Sequence, residues 1–240
     1  MYNNKKVSLV FPVYNEEENI KIAINEFDSL KIFDEIISVD NNSSDKTARF
    51  IKETNSIYIT ETKQGYGAAI RKGINSSNGD LIVICEPDGS FDYKDTIKLL
   101  NLSDNYDCVF GTRTSKEFIE KGAKMYFLLR LGNIIVARFL SFLFPRNKFT
   151  DVGCTFKVLS KKSYKLIENK LTVSGSELQP EIMINLVLQK LSIVETPVTY
   201  KERKGKSKIT KNFFATAFLA LKMINLIIFL RIKSLVNFKL

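Results

Sequence analysis

The chain contains no histidine among its 240 residues. Imidazole is therefore excluded as a general base and as a metal ligand, so a metal site has to be built from oxygens and a base has to be a carboxylate. Cysteine is scarce: Cys85, Cys108 and Cys154 are odd in number, far apart, and set in apolar or glycine-flanked stretches. That pattern excludes a disulfide framework and a zinc site and describes buried thiols in a reducing compartment. After the opening strand pattern there is neither a Gly-x-Gly-x-x-Gly turn nor a Walker-type glycine loop, which counts against NAD enzymes and P-loop NTPases. Internal repeats and low-complexity linkers are also missing. Residues 1–6 are polar, short and lead straight into a strand pattern, so no signal peptide is expected.

What is present is enough for one domain of generous size, or one domain and an appendage. The net charge of +10 is unevenly spread. Residues 1–112 hold 12 Lys/Arg against 18 Asp/Glu, residues 113–170 hold 13 against 4, and residues 201–240 hold 10 against 1. An acidic front half argues against nucleic acid as a partner. A basic rear half interleaved with Phe, Leu and Ile fits an anionic surface with an oily edge, such as a membrane face.

Along the first half, strand and helix patterns alternate. Strands are expected at 7–13, 35–40, 56–60, 80–85 and 108–111. Helices are expected at 16–30 with Asn15 as cap, from 42–45 through 52, at 67–76 and at 93–102. Strands separated by helix-length segments mean βαβ units and a mostly parallel sheet. In the second half, 124–144 reads as a long amphipathic helix with Lys124, Arg130, Asn133, Arg138 and Ser141 on one side. Strands at 156–159 and 193–200 flank a helix at 177–191. Residues 213–230 form an apolar tail about 27 Å long as a helix, close to the roughly 30 Å of a bilayer core. Lys222 near its middle would cost about 3 kcal/mol at the bilayer centre. Lys208, Lys211, Asn212, Thr216, Lys222 and Asn225 share one side of that helix. An interfacial helix is therefore favoured over a spanning one, and simple packing on the domain is the plain alternative. The domain boundary is drawn at 210/211.

The most informative segment is Glu86-Pro87-Asp88-Gly89, which follows the apolar run Leu81-Ile82-Val83-Ile84-Cys85. A buried strand here delivers two acids, one residue apart, to the carboxyl edge of the sheet, where open α/β sheets bind ligands. Two oxygen donors beside a tight turn suit a hard divalent cation that keeps coordination positions for phosphate. The same four residues also make an ordinary turn. The second strand ends in Asp40, a further carboxylate at that edge, able to accept hydrogen bonds from a base or ribose.

Together these segments resemble the family 2 glycosyltransferases of the GT-A fold. The match is carried by Phe11-Pro12-Val13-Tyr14-Asn15-Glu16, by Val39-Asp40-Asn41-Asn42-Ser43-Ser44-Asp45-Lys46-Thr47, and by Lys63-Gln64-Gly65-Tyr66-Gly67-Ala68-Ala69. Glu86-Pro87-Asp88-Gly89 stands where the family has Asp-x-Asp. Within the family the nearest resemblance is to the dolichyl-phosphate mannosyltransferase and polyprenyl-phosphate transferase group. That rests on Phe110-Gly111-Thr112-Arg113, Asp151-Val152-Gly153-Cys154-Thr155-Phe156-Lys157, Glu195-Thr196-Pro197-Val198-Thr199-Tyr200 and Arg203-Lys204-Gly205-Lys206-Ser207-Lys208.

The resemblance implies a role for each matching position. Pro12, Tyr14 and Glu16 would cradle the nucleoside of a GDP- or UDP-linked sugar, Asp40 would reach the base, and Gln64 and Gly65 would line the pocket. Glu86 and Asp88 would hold Mg²⁺ or Mn²⁺ on the donor diphosphate, with Asp88 the surer ligand because Glu86 is longer than the usual Asp. Arg113, Arg203 and Lys208 would bind phosphate of the donor or of a polyprenyl-phosphate acceptor, and Arg130 and Arg138 would attract an anionic headgroup. The family's later acidic pair is not evident. Glu177 and Glu181 are the nearest candidates, and Glu181 joins Asp88 and Arg113 in the expected catalytic set. A phosphate acceptor needs little deprotonation at neutral pH, so a weak base is tolerable. The expected activity is an inverting, metal-dependent transfer at the cytoplasmic face of a membrane. A saccharide hydroxyl acceptor and a non-catalytic membrane-bound homologue are the alternatives.

Overall fold

The structure is a computed structural model that describes residues 1–123, 127–204 and 213–236. Strands β1 (Val7–Val13), β2 (Glu35–Asp40), β3 (Ile57–Thr60), β4 (Leu81–Ile84), β5 (Cys108–Thr112), β6 (Lys157–Ser160) and β7 (Ile193–Pro197) form one sheet in the order β3-β2-β1-β4-β6-β5-β7. Helices α1 (Ile20–Asp28), α2 (Thr47–Lys52), α3 (Tyr66–Ser76), α4 (Asp95–Leu102), α5 (Phe127–Leu143), α6 (Lys161–Lys165), α7 (Leu178–Leu188) and α8 (Phe213–Val236) cover it. β1 is buried along its whole length and alternates by strict period two: Leu9, Phe11 and Val13 enter the core that holds α1, while Val10 enters the opposite core with Ile70 and Ile74 of α3. Burial on both sides is what makes the central strands read as unbroken apolar runs.

The sheet is parallel except for β6, which runs antiparallel to both β4 and β5. The chain leaves β5 at its carboxyl edge, passes through α5, and re-enters beside Ile84 at the carboxyl end of β4. A segment that departs and returns at one edge has to enter the sheet reversed. β1 lies between β2 and β4, both parallel to it, so the chain order turns around at β1. The carboxyl edge of such a switch point is an open crevice.

Several local expectations change. The first helix begins at Ile20 rather than at 16, and Asn15 does not cap it. Asn15 instead adopts φ 52°, a conformation asparagine tolerates. Its Oδ1 accepts from Ser44 N at 2.8 Å, and its own N–H donates to Ser43 Oγ at 2.9 Å. The loops after β1 and β2 are thereby stitched together, helped by Glu16 N to Thr47 Oγ1 at 2.8 Å. The short α6, capped by Ser160, lies where no helix is expected. The apolar tail helix runs on to Val236. The start of the expected 124–144 helix and the boundary at 210/211 lie outside the described residues.

The α3 contact with the sheet leaves no spare space. A Cβ at Gly73 would lie 2.4 Å from Val10 Cγ1 and 3.0 Å from Val39 Cγ2. Gly73→Ala is therefore expected to destabilise the fold by about 1–3 kcal/mol through overpacking. Thermal unfolding reads this as a fall of roughly 2–4 °C per kcal/mol, and an unchanged Tm would show that this contact is slack.

Candidate active site

The carboxyl ends of β1, β2 and β4 converge as the switch point requires. Asp88 is almost fully buried in the turn after β4, where Gly89 takes φ 74°. Its Oδ1 accepts from Ser90 N at 2.9 Å, and its carbonyl accepts from Lys204 N at 3.1 Å. With Lys201 N on Ser90 O at 2.8 Å, these bonds lay the segment 201–204 over the acidic turn. That docking delivers Arg203, whose Nη2 touches Asp88 Oδ2 and lies 3.5 Å from Glu86 Oε2. Burial, compounded by the Asp88 charge, pushes the Glu86 carboxyl up to about 8, against the pull of Arg203.

Asp88 Oδ2 is buried and, although it touches Arg203, accepts no hydrogen bond of proper geometry. Such an oxygen, paired with a second carboxylate one residue away, fits a small hard cation. Among the described residues no group of three or more acidic, cysteine or histidine side chains converges. Among the described residues Glu86 and Asp88 are the carboxylates that would hold a cation here, and it would share the rest of its coordination with ligand oxygens or water.

A second cation, Arg113, stands at the end of β5. Its Nε and Nη2 donate to Asp151 at 2.8 and 2.9 Å, its backbone N adds a third bond at 3.0 Å, and its guanidinium lies 5.3 Å from the centre of the Tyr200 ring. Burial alone would lower the Arg113 pKa, and the bidentate ion pair with Asp151 raises it instead. The same pair holds Asp151 below the usual carboxylate range despite its burial. Glu195 supports this arrangement by accepting from Thr150 N and Asp151 N at 2.7 and 3.3 Å. Gly153 packs close beside it: a Cβ there would lie 2.7 Å from Asn133 Oδ1 and 2.9 Å from Arg113 Nη2, so a larger residue would have to displace these side chains.

Arg113, Arg203, Glu86 and Tyr200 line a cavity of about 160 Å³. Val136 of α5 and Leu219, Ala220 and Met223 of α8 line the same cavity. Its wall thus combines charged and apolar side chains.

The remaining expected residues fall into three groups. Pro12, Tyr14, Glu16, Asp40, Gln64 and Gly65 sit at the adjoining carboxyl edge. Asp40 accepts from Ser43 N at 3.0 Å and Tyr58 Oη at 3.1 Å. Gln64 and Gly65 are tied to the end of β2 by Asn41 Oδ1, which takes Gly65 N at 2.7 Å and Gln64 Nε2 at 3.4 Å. Glu181 and Glu177 do not line the cavity. Glu181 is fully buried, with its oxygens taken by Thr172 and Val173, and Glu177 pairs with Lys222 of α8 at 3.5 Å. Lys208 lies outside the described residues.

With this geometry in place, comparison with known proteins is decisive on one point. The model of the glycosyl transferase family 2 domain matches residues 8–167, from β1 past α6. The chain belongs to glycosyl transferase family 2. This family 2 transferase is 29% identical over 213 residues to a dolichyl-phosphate hexose transferase of Haloferax volcanii, covering 87% of this chain and 88% of the relative. It is 27% identical to a UDP-N-acetylglucosamine–dolichyl-phosphate N-acetylglucosaminyltransferase of Methanococcus voltae, covering 81% and 85%. Another relative, the low-salt glycan biosynthesis hexosyltransferase Agl6 of Haloferax volcanii, is 26% identical over 85% of this chain, which spans about half (49%) of that protein. Among solved structures, glucosyl-3-phosphoglycerate synthase from Mycobacterium tuberculosis, crystallised with Mn²⁺, UDP and glucosyl-3-phosphoglycerate, superposes with a TM-score of 0.74 at 16% identity over 95% of this chain and 80% of that one. The fold is accordingly the α/β GT-A fold with a mostly parallel sheet.

Reading the sequence of the family 2 transferase alone overlooked Asp151 as the partner of Arg113. A signal was there: Asp151 is the lone acid among ten Lys/Arg between Glu120 and Glu168. It also overlooked Lys157, which is fully buried on β6, donates to Gln179 Oε1 and lies 4.8 Å from the centre of the Phe110 ring. Burial pushes the Lys157 ammonium down to about 8 from 10.5. Between those values the folded protein has released a proton that the unfolded chain keeps, so this group makes stability rise with pH across that window. Urea unfolding at pH 7 and at pH 10 should therefore show a larger gain for the native protein than for Lys157→Met. Equal gains would show that Lys157 is not titrating there.

Proposed function

We propose that the protein moves a sugar from a GDP- or UDP-linked donor to a polyprenyl phosphate, with inversion, at the cytoplasmic face of a membrane. The observation that carries this is a cavity lined both by Arg113 and Arg203 and by apolar side chains of α5 and α8, which suits an anionic headgroup on an isoprenoid tail. The dolichyl-phosphate activities of the two archaeal relatives support the same reading.

In this reading Pro12, Tyr14, Glu16, Asp40, Gln64 and Gly65 hold the nucleoside, Arg203 faces the donor diphosphate, and Lys208 is a further phosphate ligand by its place in the sequence motif. Arg113, locked by Asp151 and stacked on Tyr200, presents its free edge to the acceptor phosphate. Asp88, with Glu86 beside it, would hold a Mg²⁺ or Mn²⁺, which when bound would supply neutralising charge for the departing diphosphate. An acceptor phosphate oxygen attacks the anomeric carbon as the bond to the diphosphate breaks, and the electron pair leaves with the nucleoside diphosphate. The attacking oxygen is already an anion, so no carboxylate base is needed, in keeping with Glu177 and Glu181 standing outside the cavity. Arg113 and Arg203 bind the two charged groups and orient them along one line.

The membrane is met by α5 and α8. The stretch Phe214–Val236 is long and apolar enough to cross a bilayer. On α8, however, Met223, Ile227 and Leu230 are buried in the core shared with α5 and α7. Its polar positions divide: Thr216 lines the cavity, while Lys222 is exposed, pairs with Glu177 at 3.5 Å and lies 4.8 Å from the centre of the Phe218 ring. Phe214, Phe218 and Phe229 are 81%, 61% and 60% exposed, and Phe127 and Phe142 of α5 are 67% and 79% exposed. A helix pair that buries one stripe in the domain and bares aromatics on another lies in the interface with its bare side in lipid.

Purified protein with Mn²⁺ is expected to transfer sugar from one member of a nucleotide-sugar panel to a polyprenyl phosphate. Asp88→Asn should reduce the rate by about 10²–10³ or more, since it removes charge stabilisation of the leaving group. Transfer to saccharide hydroxyls with none to polyprenyl phosphate would overturn the acceptor assignment. Phe218→Asp with Phe229→Asp should weaken co-sedimentation with anionic vesicles while sparing transfer to a short-chain, water-soluble acceptor. Undiminished vesicle binding would overturn the interfacial role of α8.

A further inference from the structure

The head of α3 follows directly on Gln64 and Gly65, and its first N–H groups need acceptors from outside the helix. They are met by a distant carbonyl: Gly67 N and Ala68 N donate to Ser174 O at 2.7 and 3.1 Å. The approach is so close that a Cβ at Gly65 would lie 2.3 Å from Ser174 O, and one at Gly67 would lie 2.7 Å from Gly175 O. Further along α3, Arg71 Nη1 donates to Leu171 O at 2.6 Å. The segment 171–175 therefore grips α3 at two points, while Asn41 holds Gln64 and Gly65 from the other side.

Something has to hold 171–175 in turn. Glu181 of α7, with no exposed surface, accepts Thr172 N and Thr172 Oγ1 at 2.9 and 2.8 Å on Oε1 and Val173 N at 3.1 Å on Oε2. A charged acceptor makes stronger bonds than a neutral one, and three donors on two oxygens satisfy a buried carboxylate without a cation. α7 reaches the first residue of α3 as well, through Gln179 Nε2 on Tyr66 Oη at 3.1 Å.

We propose that Glu181 is a positioning residue of the donor site. Its carboxylate sets Thr172 and Val173, the Ser174 carbonyl that follows fixes the head of α3, and Gln64, Gly65 and Tyr66 are thereby held in the shape that receives the nucleotide. This rests on the reading that those residues line the donor pocket. It also assigns Glu181 a task other than proton transfer, since both its oxygens are occupied and it has no path to the cavity.

The test is calorimetric titration of UDP and GDP, with Mn²⁺, into the native protein and into Glu181→Gln, alongside steady-state kinetics. The amide of that variant has a single acceptor oxygen and would offer an N–H₂ to a donor that needs an acceptor. Nucleotide affinity is expected to fall about tenfold, with donor KM rising in step and kcat within about threefold of native. The kcat–pH profile should keep its shape and the acceptor KM should hold. Thr172→Val, which removes only one hydroxyl donor, should shift donor KM in the same direction by about two- to fivefold, and it decides the matter if Glu181→Gln does not fold. Native affinity in a folded Glu181→Gln, or an unchanged donor KM in Thr172→Val, would overturn the proposal. So would a collapse of kcat with loss of one limb of the pH profile, which would make Glu181 the base. Native protein that binds neither nucleotide would overturn the reading of the donor pocket itself.

Discussion

Asp88 leaves β4 almost fully buried with Glu86 largely shielded beside it, and two carboxyls so poorly hydrated need positive charge close by before both can ionise. Much of the surrounding structure answers that requirement. The segment 201–204 lies over the acidic turn by backbone hydrogen bonds to Asp88 and Ser90, and so brings Arg203 onto both acids. Arg113 approaches from β5, where it needs an anion of its own, and Asp151 supplies one in bidentate geometry. The outcome is alternating charge, acid pair to arginine and arginine to acid, beside a cavity that Glu86, Arg113 and Arg203 help to line.

The apolar part of the cavity lining has a different origin. α5 and α8 each carry apolar surface on more than one side. Part of it lines the cavity through Val136, Leu219 and Met223, and part remains exposed as phenylalanine. One pair of helices therefore supplies both cavity wall and oily outer surface. In the function proposed above, a lipid-borne acceptor would reach the cavity without leaving the membrane surface.

Much of this was legible in the sequence for identifiable reasons. Central strands buried on both faces give apolar runs with no competing interpretation, as in residues 7–13 and 81–84, and Glu86-Pro87-Asp88 follows such a run directly. Errors came where a residue's partner is far away in the chain. Asn15 has the chemistry of a helix cap, yet the loop after β2 lay within reach and took its hydrogen bonds. Thr216 belongs to the polar side of the tail helix, yet it lines the cavity.

The sequence by itself determined the order of the strands and of every helix but the short α6, the acids and cations available, and the exclusion of imidazole and disulfide chemistry, because these follow from residue type and local period. Only the tertiary structure decided which charges meet. Arg113 finds Asp151 across 38 residues and Arg203 finds Glu86 across 117, distances over which no local pattern carries information. It also decided the reversal of β6, which depends on where the chain re-enters the sheet. The same is true of the α8 face left bare, which is fixed by what α5 and α7 already cover.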